Sequence, residues 1–145
     1  MTPDELFPIV NAVPLAGWAA LVFLPFWRGT QWITAIILPL LLSTAYVLLL
    51  VPGLVQAGGM AGDFTSLEGV KTLLASDGGA LVGWIHYLAF DLFVGAWEAR
   101  DAKRNGVPHL LLVPCLILTF MLGPTGLLLY FIIRTVRNRG LRSID

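Results

Sequence analysis

Residues 79–100 read GALVGWIHYLAFDLFVGAWEAR. The stretch is long and apolar enough to cross a bilayer as a helix, which takes roughly 20 residues. It nevertheless carries His86, Asp91 and Glu98. A carboxylate at the middle of a membrane helix costs at least about 2.5 kcal/mol on the insertion scale. A segment that served only as an anchor would carry leucine there. The expectation is that this helix holds the working groups and that the other apolar segments build a pocket around it.

Composition supports a membrane setting. Of the 145 residues, 57% are hydrophobic and 12% charged, whereas a soluble domain is nearer one quarter charged. The apolar residues fall in long runs, as in an integral membrane protein. Formal net charge is zero, so no basic field points to nucleic acid. The single cysteine, Cys115, has no intrachain partner for a disulfide and reads as a small buried apolar residue. The N-terminal residues are acidic where a signal peptide would be basic, so the first run is expected to be retained.

The runs predict four spans, at about 6–27, 32–55, 80–99 and 109–134. They are continuous rather than alternating, so helices are expected and not a barrel. The predicted fold is an all-α integral membrane protein, a single domain over 1–145. It is a four-helix bundle with a short amphipathic helix between spans two and three. Spans one, two and four contain proline and span three has none. Prolines bend helices, and three bent helices around a straight one would leave room for a ligand.

The connection 56–79 holds Thr65-Ser66-Leu67-Glu68, which reads as a capping box. It predicts an interfacial helix over about 66–75 with Leu67, Val70, Leu73 and Leu74 near one face. Gly58, Gly59, Gly62, Gly78 and Gly79 flank it, and the expectation is that they let it move as a lid. Four spans would put the N-terminus, this connection and the C-terminal tail on one side. That side would carry Lys71, Arg134, Arg137, Arg139 and Arg142, against Arg28, Arg100, Lys103 and Arg104 on the other. The arginine-rich tail tilts the expectation toward cytoplasmic termini in a bacterial inner membrane.

At about 100° per residue, Asp91, Gly95 and Glu98 fall within about 40° of Trp84 on the helix surface. Tyr87 flanks that stripe. His86, Phe93, Trp97 and Arg100 lie on roughly the opposite side. His86 and Asp91 therefore act together only across a ligand, through water, or with groups on other helices. By depth, Asn11, Tyr46 and Tyr130 are expected near His86, and Ser43, Thr44 and Thr119 near Asp91. No lysine or arginine is expected at the level of Asp91, so its carboxyl is expected to hold its proton. Glu98 is expected near the interface with Arg28, Arg100 and His109. The aromatic residues Tyr87, Phe90, Phe93 and Trp97 suit a flat apolar ligand.

Two histidines without metal spacing exclude a di-iron or zinc cluster. No phosphate-binding loop, dinucleotide fingerprint or nucleophile elbow occurs. No cofactor is expected, which leaves acid–base chemistry or binding without chemistry. The candidates are His86, Asp91 and Glu98 as catalytic groups. Asn11, Tyr46, Trp84, Tyr87, Phe90 and Trp97 are the candidates for ligand contact.

The segment GWIHYLAFDLFVGAWEARDA, with LEGV in the long connection and FMLGPTGLLLY in the last run, resembles the abscisic-acid-deficient-four-like family of neoxanthin-synthase type. The resemblance implies a small four-span membrane protein, and the lack of a transit extension fits a prokaryotic member. It also implies a redox-neutral isomerisation of a carotenoid or related isoprenoid, from epoxide to allenic alcohol. An acid would protonate the epoxide oxygen and a base would take a proton from the neighbouring polyene carbon, with Asp91 and His86 in those roles. The competing reading is a module that binds a carotenoid, retinoid or quinone without chemistry, or assists a carotenoid-pathway enzyme. The partners expected are the bilayer, an apolar isoprenoid and a second copy of the chain.

Overall fold

A computed structural model describes residues 1–138, with no strand among them. The order is α1 (Pro3–Phe23), α2 (Arg28–Trp32), a π-helical turn (Ile33–Ile37), α3 (Leu38–Ala57), α4 (Leu67–Leu74), α5 (Asp77–Arg104), α6 (His109–Leu122) and α7 (Pro124–Asn138). Three helices are long and apolar enough to cross a membrane: Pro3–Phe23, the continuous Arg28–Ala57, and Asp77–Arg104.

Local chemistry sets the ends. α1 starts earlier than hydropathy predicts because Thr2 and Glu5 form a capping box: the Thr2 hydroxyl accepts from the Glu5 amide at 3.3 Å and the Glu5 carboxylate accepts from the Thr2 amide at 2.8 Å. Pro3 occupies the first turn, where a missing N–H costs nothing. In the second long helix, the Leu38 amide bonds back five residues to the Ile33 carbonyl. This wide turn directly precedes Pro39, which has no N–H to give Ala35. Buried Thr30 and Thr34 donate to the Leu24 and Thr30 carbonyls at 2.6 and 2.8 Å, so no hydroxyl is stranded there.

α5 is the axis. It packs against α1, the π turn, α3, α4, α6 and α7, and its 28 residues extend about 42 Å. Two separate apolar cores lie along it. Near its start, Leu81, Ile85, Leu88 and Ala89 pack with Val10 and Leu42. Further on, Leu92 and Ala96 pack with Trp18, Leu21, Leu116 and Tyr130.

The fourth apolar run departs from the expected single span. It breaks at Gly123, whose φ of 42° is a conformation glycine adopts without the penalty a side chain brings. α6 runs back along α5 from its C-terminal end: His109 meets Val22, Thr119 meets Glu98, and Gly123 meets Asp91. α7 then reverses: Trp97 touches Tyr130, Asp101 touches Arg134, and Asn105 touches Asn138. The turn is tight, with Gly126 against the Thr119 amide and the Cys115 carbonyl. Helices of 14 and 15 residues reach only about 21–23 Å, short of a hydrocarbon core of about 30 Å. Asn138 therefore lies at the opposite end of α5 from Thr2, and the expected shared side for the termini does not hold up to that residue. Arg134, counted among the side-determining charges, is buried. Arg139 and Arg142 lie outside the described residues.

The connecting helix α4 forms close to where it is predicted, but Ser66 caps it rather than Thr65. The Ser66 hydroxyl accepts from the Gly69 amide at 2.9 Å. Thr65 is taken by Asp63, whose Oδ1 accepts from the Thr65 amide and hydroxyl at 2.7 and 2.6 Å and from the Ser66 amide at 3.1 Å. Glu68 pairs with Lys71 instead of completing a box. The glycines are not all hinges. Gly62 sits against the Gly69 carbonyl, Gly69 against Asp63, and Gly79 against the Leu73 carbonyl. A side chain at these three would push α4 away, so they clamp it in place.

Candidate functional site

An apolar cavity of about 600 Å³ lies between the start of α1, the C-terminal half of α3, α4 and the first turns of α5. Leu6 comes from α1, Tyr46 and Leu54 from α3, Leu73 from α4, and Leu81 and His86 from α5. α4 forms the roof. Its amphipathic sequence places Val70, Leu73 and Leu74 on the cavity side, while Glu68 and Lys71 stay exposed. Pro52 lies in the stretch of α3 that borders the cavity.

His86 reaches the cavity wall. Its ring lies 4.7 Å from that of Phe90, one turn on, and 5.9 Å from that of Tyr46. Neither ring nitrogen has a hydrogen-bond partner among the described residues. An imidazole at the edge of an apolar cavity, with neither nitrogen hydrogen-bonded among the described residues, can exchange a proton with a bound molecule. Phe90 flanks His86 and is 59% exposed on its outer side.

Asp91 points elsewhere, as five residues of helical spacing require. Its carboxylate faces the hairpin tip, where a Cβ on Gly123 would stand 3.0 Å from Oδ1. Its Oδ2 is buried without a hydrogen-bond partner. Tyr87, one turn earlier, donates to the Phe120 carbonyl at 3.5 Å. Gly95 continues this stripe and admits the Trp18 ring, which would be 2.6 Å from a Cβ there.

Glu98, expected near the interface with Arg28, Arg100 and His109, is instead 0% exposed and makes no ion pair among the described residues. Both of its oxygens accept from the Thr119 hydroxyl, at 3.0 and 3.2 Å. His109 instead meets the Val22 carbonyl at 2.9 Å and the Phe26 ring. The prediction that Thr119 stands level with Asp91 fails by about two turns, because α5 runs on to Arg104 before α6 starts at His109, which sets Thr119 opposite Glu98 and Gly123 opposite Asp91. Thr44 bonds its own helix at the Leu40 carbonyl, 2.8 Å away.

The other ligand-contact candidates divide. Tyr46 lines the cavity. Asn11 is not beside His86: its Oδ1 accepts from Trp84 Nε1 at 2.9 Å and its Nδ2 donates to the Phe7 carbonyl at 2.8 Å. Trp84 stacks on Tyr87 at 5.3 Å. Trp97 packs against Tyr130 and Phe131 at 5.7 and 5.5 Å. These four residues join helices and do not line the cavity.

Sequence reasoning missed one buried cluster. Asp101 accepts from the Tyr130 hydroxyl and pairs with Arg134, whose Nε lies 2.7 Å from Oδ2 and Nη2 3.3 Å from Oδ1. Tyr130 was expected beside His86, but the hairpin carries it to the far end of α5. The signal was the spacing of Tyr130 and Arg134, four apart and so on one face of a helix.

Three helices long and apolar enough to cross a membrane, the central one carrying buried ionisable groups and bordered by an apolar cavity, define a helical protein of membrane type. A family model described as ABA DEFICIENT 4-like matches residues 5–130, and the chain belongs to this family. Membership points to a carotenoid-related role. No curated protein and no solved structure matches the chain.

Proposed function

We propose that this protein takes a ring end of a carotenoid or related isoprenoid from the bilayer into the cavity under α4 and isomerises it there by acid–base chemistry. The observation that carries this reading is the His86 imidazole on an apolar cavity wall, with no hydrogen bond among the described residues. For an epoxide-bearing end group, His86 removes the proton from the polyene carbon beside the ring. That C–H electron pair becomes a new double bond to the ring carbon, whose bond to oxygen breaks. The oxygen takes a proton from Tyr46, which recovers it from the His86 imidazolium. Nothing is oxidised or reduced, and the product is an allenic alcohol. Tyr46 replaces Asp91 as the acid because Tyr46 lines the cavity and Asp91 does not.

The test is expression with violaxanthin and chromatography of the pigments. Wild type is expected to convert it. His86→Leu and Tyr46→Phe are expected to carry unchanged pigment, with stability within about 0.5 kcal/mol of wild type because neither hydroxyl nor imidazole holds the fold. Full conversion by both variants would overturn the mechanism. A second reading, binding without chemistry, is favoured by one fact: the carboxylates Asp91 and Glu98 face the hairpin, away from the cavity. It predicts wild-type protein that carries pigment and never alters it. A colourless preparation that takes up no isoprenoid would end both readings.

A further inference from the structure

The glycines around the cavity are of two kinds. On the roof and α5 side Gly62 and Gly79 abut backbone carbonyls and a Cβ on Gly83 would stand 2.8 Å from Leu74 Cδ2, while Gly78, in the first turn of α5, and Gly59, at a positive φ, are open. Gly53, on the α3 wall, is open as well. A Cβ there would meet nothing within 4 Å. Its backbone is ordinary helix, since it is not among the positive-φ glycines. Neither packing nor backbone conformation therefore calls for glycine. In a helix interior, directly after Pro52, glycine weakens the helix compared with any ordinary residue. Gly53 is exposed, so a larger side chain there would project into space that is now open.

That volume belongs to the cavity, which Gly53 lines together with Leu50 and Leu54. Across it is the roof, and α3 scarcely touches α4. Tyr46 lies seven residues earlier, two turns deeper along α3, where it meets His86. A molecule reaching His86 from the α4 end passes between Gly53 and the roof. The roof is clamped by Gly62, Gly69 and Gly79, so the width of this passage is set from the α3 side.

Resting on the cavity reading above, we infer that Gly53 is the selectivity threshold of this site, admitting ring-bearing isoprenoid ends that a larger residue would exclude. Bulk at position 53 narrows the passage for a substituted ring more than for an unbranched or acyclic chain. The test uses purified protein in nanodiscs with two probes, retinol, which carries a ring, and geranylgeraniol, which does not. Gly53→Ala is expected to hold or raise the melting temperature and to leave both affinities nearly unchanged. Gly53→Leu and Gly53→Phe are expected to keep the melting temperature and to weaken retinol by about tenfold or more relative to geranylgeraniol. Gly62→Ala, which fills a clamped position, is expected to lower the melting temperature instead. Equal affinities in wild type and Gly53→Phe would overturn the inference and leave the cavity reading standing. A Gly53→Leu protein that loses stability and both ligands together would make the position structural and overturn it too. If wild type binds neither probe, the cavity reading itself fails.

Discussion

The two halves of α5 face opposite kinds of interior. From Asp77 to about Phe90 it borders an apolar cavity, and the polar group it presents there, His86, has no hydrogen-bond partner among the described residues. From Asp91 to Arg104 it faces the α6–α7 hairpin, where Glu98, Thr119, Asp101, Tyr130 and Arg134 are buried and bonded to one another in two groups. The half with more charge is the scaffold, and the half with one imidazole has room for a ligand. Carboxylates in a membrane helix mark a functional site by default, yet here two of the three acidic residues, Glu98 and Asp101, are bonded across to the hairpin. What distinguishes a working group from a joint is whether the protein has already used its hydrogen bonds.

Three perturbations test that contrast. The largest effect is expected from Arg134→Ala, which leaves Asp101 buried without its cation and should destabilise by about 3–5 kcal/mol, read by denaturant unfolding in detergent. The paired change Asp101→Leu with Arg134→Met should recover most of that loss, because the charges then leave together. Unchanged stability in Arg134→Ala would mean the hairpin is not held by this pair. Next comes Thr119→Val, which removes the donor to both oxygens of buried Glu98 and should cost about 1–3 kcal/mol. Pigment binding under folding conditions should be unaffected, and a selective loss of binding would tie the two halves together.

The smallest effect concerns Asp63 at the start of the roof. The Thr65 hydroxyl and amide, then Ser66, hold its carboxyl below the ordinary value of 3.8. A carboxyl whose value is lowered on folding supports the fold above its unfolded value, and that support is lost as pH falls through the lowered one. Amide protection over 58–66, taken relative to the intrinsic exchange rate at each pH, is therefore expected to be flat above about pH 5 and to fall only below about pH 4. Asp63→Asn should show the lower protection already at neutral pH. An exchange profile indifferent to both would remove Asp63 as the roof's anchor.

Much of the fold was legible because membrane helices announce themselves by length and apolarity. The 3.6-residue period likewise put Asp91 and Glu98 on one face and His86 on another. The roof helix was legible from its amphipathic pattern, although its cap moved by one residue once Asp63 claimed Thr65. The hairpin was not legible. The run 109–134 has the hydropathy of one long span, and only the conformation of Gly123 and the space at Gly126 turn it back. With that reversal Tyr130 moved to the far end of α5 and Arg134 became a buried partner of Asp101.

The sequence by itself determined that this chain is helical, that its first three long apolar runs have the length to cross a membrane, and that one helix carries ionisable groups on two faces; it read the fourth run as a further span, which the structure breaks at Gly123. Those follow from local quantities: residue hydropathy, run length and helical period. Only the tertiary structure decided which of those groups are spent on holding helices together and which one borders empty space. That depends on where a neighbouring helix ends and turns, a property of packing between distant segments that no single run of residues contains.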